Sequence, residues 1–173
     1  MRTITVYNIN ELSEAAKSRA IESLRDQLDE YYGGDDALAS LIGFARHFGA
    51  EVENYQIDWT NSTAPSWVKF DAPELTAKEL GRKIRSMGSY NKQTMKGLGD
   101  CKFTGYCMDD DAADGARIAY FSGERNIDAI LQAGFKTWVQ AVWDDCEQQS
   151  SDEYLAEFAY ANGYEFDEDG NIN

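Results

Sequence analysis

Histidine occurs once in this 173-residue chain, proline twice and cysteine three times. The single histidine, His47, has no accompanying nucleophile or ligand cluster. A place in the last turn of a helix, facing the helix dipole, is therefore favoured over catalysis. The cysteines, Cys101, Cys107 and Cys146, are odd in number. The opening MRTITVYNINELSE reads as a strand followed by a helix, not as a signal peptide, so reduced thiols in a cytoplasm are expected. Five residues separate Cys101 from Cys107, and no second Cys/His pair exists, which argues against a zinc knuckle. No apolar run approaches the ~18 residues that a membrane-spanning helix needs. Bases are scarce: 16 Lys and Arg stand against 31 Asp and Glu. Most of the imbalance lies late in the chain. Residues 1–99 carry 14 acids and 12 bases, whereas residues 100–173 carry 17 acids and 4 bases. A field of that sign repels nucleic acid and anionic membranes and favours basic partners, although it also serves solubility alone.

The clearest element is 126–148, NIDAILQAGFKTWVQAVWDDCEQ. Ile127, Ile130, Leu131, Phe135, Trp138, Val139, Val142 and Cys146 recur at steps of three and four, so the spacing predicts a core helix, with Asn126 as its N-cap. Residues 3–9 read as a strand buried on both faces. Ser13 caps a helix over 14–31 with Ala20, Leu24, Leu28 and Tyr31 inward. Gly33-Gly34 stops it, and Asp35 or Asp36 caps a second helix to Phe48 with Leu38, Leu41, Ile42 and Ala45 inward. Residues 51–59 and 67–70 suit a hairpin in which Trp59 and Trp67 face each other, with Pro65 in its turn and Pro73 just beyond. Thr76 and Glu79 form a capping box for a helix carrying Leu80, Ile84 and Met87. The glycine-rich stretch 88–100 reads as loop, and 112–121 as helix. Ser150 and Glu153 form a second capping box, for a helix to about 162. Tyr164 and Phe166 then lie in a short strand, and Ile172 returns beside it after an Asp169-Gly170 turn. The expected fold is α+β: one domain over 1–173, with a small antiparallel sheet from 3–9, 51–59, 67–70 and 164–167 packed against five or six helices.

Two charged segments bear on function. Residues 76–98 are basic through Lys78, Arg82, Lys83, Arg85, Lys92 and Lys96, with Glu79 the only acid. They could meet phosphates, but a solvated face, or one that meets the acidic half, is the preferred reading against the field of the whole chain. Asp109, Asp110 and Asp111 precede a helix, where carboxylates suit unpaired N–H groups and the positive dipole end. Three oxygen donors could also attract Mg²⁺ or Ca²⁺, but neighbouring residues on a helix point apart. No cofactor is expected.

Three stretches carry a likeness to a known family: TITVYNINELSEAAKSRAIE (3–22), FTGYCMDDD (103–111) and WDDCEQQSSDEYLAEFAYANGYEFDEDGNI (143–172). They resemble a family of small acidic phage and prophage proteins labelled "antitoxin of toxin-antitoxin stability system". The resemblance spans most of the chain in order, except residues 49–95. It implies a phage-encoded accessory protein in the host cytoplasm and supplies no catalytic residues. The leading expectation is an acidic binding protein, not an enzyme, that inhibits a host defence nuclease complex of the CRISPR–Cas or restriction type. It would act by occupying a surface built for nucleic acid. The expected partner is a basic host protein or ribonucleoprotein complex, with no direct binding of nucleic acid or membrane. The carboxylates assigned to that role are Asp109, Asp110, Asp111, Asp144, Asp145, Glu147, Asp152, Glu153, Glu157, Glu165 and Asp167, with Tyr154, Tyr160, Tyr164 and Phe166 as apolar anchors. The alternatives are an antitoxin that neutralises a basic toxin through the same surface, and a metal-dependent nuclease using Asp109, Asp110 or Asp111.

Overall fold

The structure, a computed structural model, describes residues 5–31, 34–59, 65–98 and 103–173, with the backbone alone for 28–31. The order is α1 (Glu14–Tyr31), α2 (Gly34–Phe48), β1 (Glu51–Gln56), β2 (Trp67–Asp71), α3 (Ala77–Ser86), α4 (Asp109–Phe121), α5 (Ile127–Gln149) and α6 (Asp152–Ala161). The fold is α+β. The chain divides into two compact units, one formed by Met1–Tyr32 with Asp145–Asn173 and the other by Gly33–Asp144.

In the first unit, the Ser13 hydroxyl accepts from the Ala16 N–H at 3.3 Å and opens α1. Ile9, Ala20, Ile21 and Leu24 are buried against Leu155, Ala159 and Phe166. The side chains of Leu28 and Tyr31, and residues 3 and 4 of the expected first strand, lie outside the described residues. The rest of that strand reduces to one bridge: Tyr7 N–H donates to Phe166 O at 2.8 Å, and Phe166 N–H to Tyr7 O at 2.9 Å. Local competition explains the correction. Asn8 Oδ1 accepts from Asn10 N–H and Glu11 Oε2 accepts from Asn8 N–H, so side chains turn the backbone before a ladder can extend. Phe166 also bridges to Ile172, as expected for the returning tail. Gly170 has φ +90°, and a Cβ there would lie 2.1 Å from the Ala16 carbonyl oxygen, so only glycine permits this approach to α1. The second capping box is displaced by one residue. Ser151 is the N-cap and accepts from Tyr154 N–H, so the third helical position is tyrosine and no acid reciprocates.

In the second unit, α2 starts at Gly34, and Asp35 and Asp36 lie inside its first turn instead of capping it. Leu41, Phe44, Ala45 and Phe48 are buried, whereas Leu38 and Ile42 are half-buried. Gly49, at φ +81°, closes the helix. β1 and β2 pair antiparallel with an irregularity between Val52 and Asn54, and Gln56 stands opposite Trp67. Trp59 therefore falls beyond the ladder. Its ring meets Trp138 edge to face at 6.2 Å, while Trp67 donates to Gln56 Oε1 at 3.2 Å. The Thr76–Glu79 capping box forms with both of its hydrogen bonds. α4 begins three residues earlier than expected, so all three aspartates sit in its first turn.

α5 buries the expected stripe from Ile130 to Cys146, while Ile127 at its start is only half-buried, and Asn126 Oδ1 accepts from Ala129 N–H at 3.0 Å. Small residues let α4 and α5 cross closely. A Cβ on Gly115 would lie 2.1 Å from Thr137 Oγ1 and 2.4 Å from the Ala133 carbonyl oxygen; one on Gly134 would lie 2.3 Å from Phe44 Cζ. Arg117 is fully buried in this unit. It donates to Asp114 Oδ1 at 2.6 Å and to Met87 O at 2.9 Å, and its guanidinium lies 5.0 Å from the Tyr90 ring centroid. A buried arginine is sustained by such pairing, and here it ties α4 to the end of α3.

Candidate functional site

The three leading aspartates behave differently, as their divergence on a helix requires. Asp109 is 1% exposed, and its carboxylate accepts from Thr104 N–H and Gly105 N–H at 2.8 Å each and from Thr104 Oγ1 at 3.0 Å. This fastens the turn at Gly105, where φ is +83°. The assignment of Asp109 to a partner surface, or to a surface metal, is therefore corrected: the group faces inward and its lone pairs are used. Asp110 is half-buried with Gly97 packed against it, since a Cβ there would lie 2.7 Å from Asp110 Oδ1. Gly97 N–H donates to Asp114 Oδ2 at 3.2 Å. Asp111 is half-buried and pushed up to about 6, first by burial and then by the negative charges of Asp114, Asp110 and Asp144. Among the described residues, no group of three or more His, Cys, Asp or Glu side chains is placed to hold a metal ion.

Asp144 completes the acids of the second unit; it is exposed and accepts from Gln140 Nε2 at 2.8 Å. The basic stretch of the same unit exposes Lys78, Arg82, Arg85, Lys92 and Lys96. Among the described residues it forms no ion pair with Asp111 or Asp144. His47 lies in the last turn of α2, as expected, but its ring is held by a neighbouring helix. Its Nε2 lies 2.9 Å from Lys83 O, and Lys83 Nζ donates to His47 O at 2.7 Å, so the pair joins α2 to α3. Burial, more than any other influence, pushes the imidazole below its usual range, which opposes a charged partner for the helix dipole.

The first unit holds the remaining acids, in three roles. Asp167 serves the fold. Its oxygens accept from the Asn171 side chain at 2.8 Å and from the Asn171 and Asp169 N–H groups at 2.9 Å each. The Asn171 amide, chief among these, holds it below the usual carboxylate range, and its place on a partner surface is corrected accordingly. Asp152 and Asp145 have internal partners. Arg25 Nη2 reaches Asp152 at 2.5 Å while Arg25 Nε donates to Ser150 O at 3.0 Å; Asp145 accepts from Gln149 at 2.8 Å. Glu147, Glu153, Glu157 and Glu165 are exposed, and among the described residues they have no ion-pair partner.

The anchors divide likewise. Phe166 is fully buried and belongs to the core, which corrects its assignment; Tyr154 and Tyr164 are half-buried against Phe158; Tyr160 is 61% exposed. Between α1 and α6 lies an open groove of about 450 Å³. Glu153, Glu157 and Tyr160 line one wall at helical steps of four and three, and Glu14, Lys17, Ser18 and Ile21 line the other. The α1 wall was missed in the sequence. Its spacing was visible, but only as the flank of a core stripe.

No protein-family model, curated protein or solved structure matches this chain.

Proposed function

We propose that this chain is a phage-encoded acidic binding protein that inhibits a host defence nuclease complex, of the CRISPR–Cas or restriction type, by occupying its nucleic-acid-binding surface. The supporting observation is the set of exposed carboxylates of the first unit that have no ion-pair partner among the described residues: Glu147, Glu153, Glu157 and Glu165. A sequence with net charge -15 strengthens the field around them. Glu147 on α5 and Glu153 and Glu157 on α6, with Glu165 beyond its end, can stand where phosphates would stand, opposite the lysines and arginines of a nuclease groove, and long-range attraction speeds their encounter. Tyr160 adds an amphipathic surface that can be desolvated on docking. Asp109, Asp167 and Phe166 form no part of this surface, because their side chains are spent on the fold.

The test is competition. The chain should displace labelled nucleic acid from a basic nuclease complex at low salt and lose that ability steeply as salt rises. Simultaneous binding of the chain and the nucleic acid would end the proposal. Co-expression with a neighbouring toxin gene separates it from an antitoxin: rescue of growth without nuclease inhibition would transfer the same surface to that role.

A further inference from the structure

We infer that residues 88–98 form a strap that lifts off α4 as a unit, with Arg117 as the latch that holds it down. This inference stands apart from the binding reading above. The strap lies on one stripe of α4, in which Asp110, Asp114, Arg117 and Phe121 recur at steps of four, three and four. Gly97 packs against Asp110 and donates its N–H to Asp114 Oδ2 at 3.2 Å. Asp114 Oδ1 accepts from Arg117 Nη1 at 2.6 Å, and Arg117 Nη2 donates to Met87 O at 2.9 Å, where the strap leaves α3. The guanidinium also lies 5.0 Å from the Tyr90 ring centroid, and that ring lies 5.7 Å from the Phe121 ring. One fully buried arginine therefore fastens the start of the strap directly and its end through Asp114.

The strap has its own internal bonding. Asn91 N–H donates to Lys96 O and Met95 N–H to Asn91 O, each at 2.7 Å, and Leu98 N–H donates to Ser89 O at 2.8 Å. Asn91 Oδ1 accepts from Gln93 N–H at 2.8 Å, and Met95 takes φ +59° to close the turn. None of these bonds involves α4, so the strap can part from the helix without unravelling. Little apolar contact resists that step, because no residue of 88–98 is buried. Segments of this kind open at free energies well below that of the whole unit. The closed position also carries a penalty. Among the described residues Arg117 Nε is buried without a hydrogen-bond partner, and such an N–H regains its solvation on exposure. Lifting the strap hydrates that group and the Arg117–Asp114 pair, which offsets part of the lost contact. It also bares the acidic stripe of α4 and carries the exposed Lys92 and Lys96 away from it.

The experiment is hydrogen exchange of the full chain, isotope-labelled, followed by NMR at low urea concentrations. Gly97 N–H and Arg117 Nε–H should show one common opening that urea hardly changes, whereas Leu131 and Val142 N–H should open only with the whole unit. Two variants on the strap should speed Arg117 Nε–H exchange. Tyr90→Leu, which removes the ring over the guanidinium, should do so about three- to thirtyfold. Gly97→Val, which drives a side chain against Asp110, should do so at least about tenfold. Both should leave Leu131 and Val142 as protected as in the parent. Arg117→Met should release Gly97 N–H while α5 stays protected; if that chain fails to fold, the two strap variants decide. Exchange of Arg117 Nε–H only together with Leu131 and Val142 would overturn the strap. So would unlike openings for Gly97 and Arg117, or strap variants that speed every amide equally.

Discussion

Replacing Asp111 by asparagine should stabilise the second unit at alkaline pH and leave it unchanged at acid pH. Asp111 is half-buried and surrounded by Asp110, Asp114 and Asp144, and its carboxyl is pushed from 3.8 to about 6. A raised carboxyl pKa means the folded chain holds the proton more tightly than the unfolded chain. Between about pH 4 and 6, unfolding releases that proton, so stability falls as pH rises through this window, and the full cost is present above it. For a wholly enclosed group, a displacement of this size corresponds to about 3 kcal/mol. Solvent reaches Asp111, and screening reduces the expected cost to about 1 kcal/mol. Asparagine keeps the size and polarity and removes the charge. The backbone carbonyl of residue 111, which accepts from Thr137 Oγ1 at 2.8 Å, is untouched. The assay is urea unfolding followed by tryptophan fluorescence. All four tryptophans, Trp59, Trp67, Trp138 and Trp143, belong to the Gly33–Asp144 unit, so the signal reports that unit alone. Asp111→Asn should unfold later than the parent at pH 8 by about 1 kcal/mol and coincide with it near pH 4. An equal gain at both pH values, or a loss at pH 8, would refute the charge-crowding argument.

Asp109→Ala should cost about 2–3 kcal/mol in the same assay, because it strands two backbone N–H groups and the Thr104 hydroxyl that bond to the carboxylate. Gly115→Val should cost at least about 2 kcal/mol, since even the first carbon would collide with Thr137 and with the Ala133 backbone where α4 crosses α5. Arg25→Ala should loosen the first unit by about 1–2 kcal/mol, read from hydrogen exchange in α1 and α6, because it frees both Ser150 O and Asp152. Lowering pH should act through His47 in the opposite sense to Asp111. Its neutral form is favoured by burial, so its contribution is complete above about 6.5 and is lost as pH falls through the lowered folded value. His47→Gln should remove that component of the pH profile.

The elements readable from the sequence were those in which local signals and burial agree. The 3.6-residue stripe of α5, with its Asn126 cap, and the capping box of α3 depend only on neighbours along the chain. Among the described residues the expected strand over 3–9 narrows to the Tyr7–Phe166 bridge, beyond which the Asn8 and Glu11 side chains take up nearby backbone N–H groups. Asp109, Asp167, Asp144 and Glu157 look alike as letters. Their roles differ because Thr104, Gly105 and Asn171 converge on the first two, and such convergence is set by loop geometry, which alternation and spacing do not record. The α1 wall of the groove was hidden for a related reason. Glu14 and Lys17 read as ordinary solvent-facing residues until α6 packs beside them.

The most direct measurement of the central claim is the affinity of the full chain for a basic nuclease complex between about 0.05 and 0.5 M salt, with and without bound nucleic acid. The account predicts affinity that falls by orders of magnitude with salt, is abolished by bound nucleic acid, and drops when Glu147, Glu153 and Glu157 are changed together to lysine. Affinity that is flat with salt and insensitive to that triple reversal would contradict it.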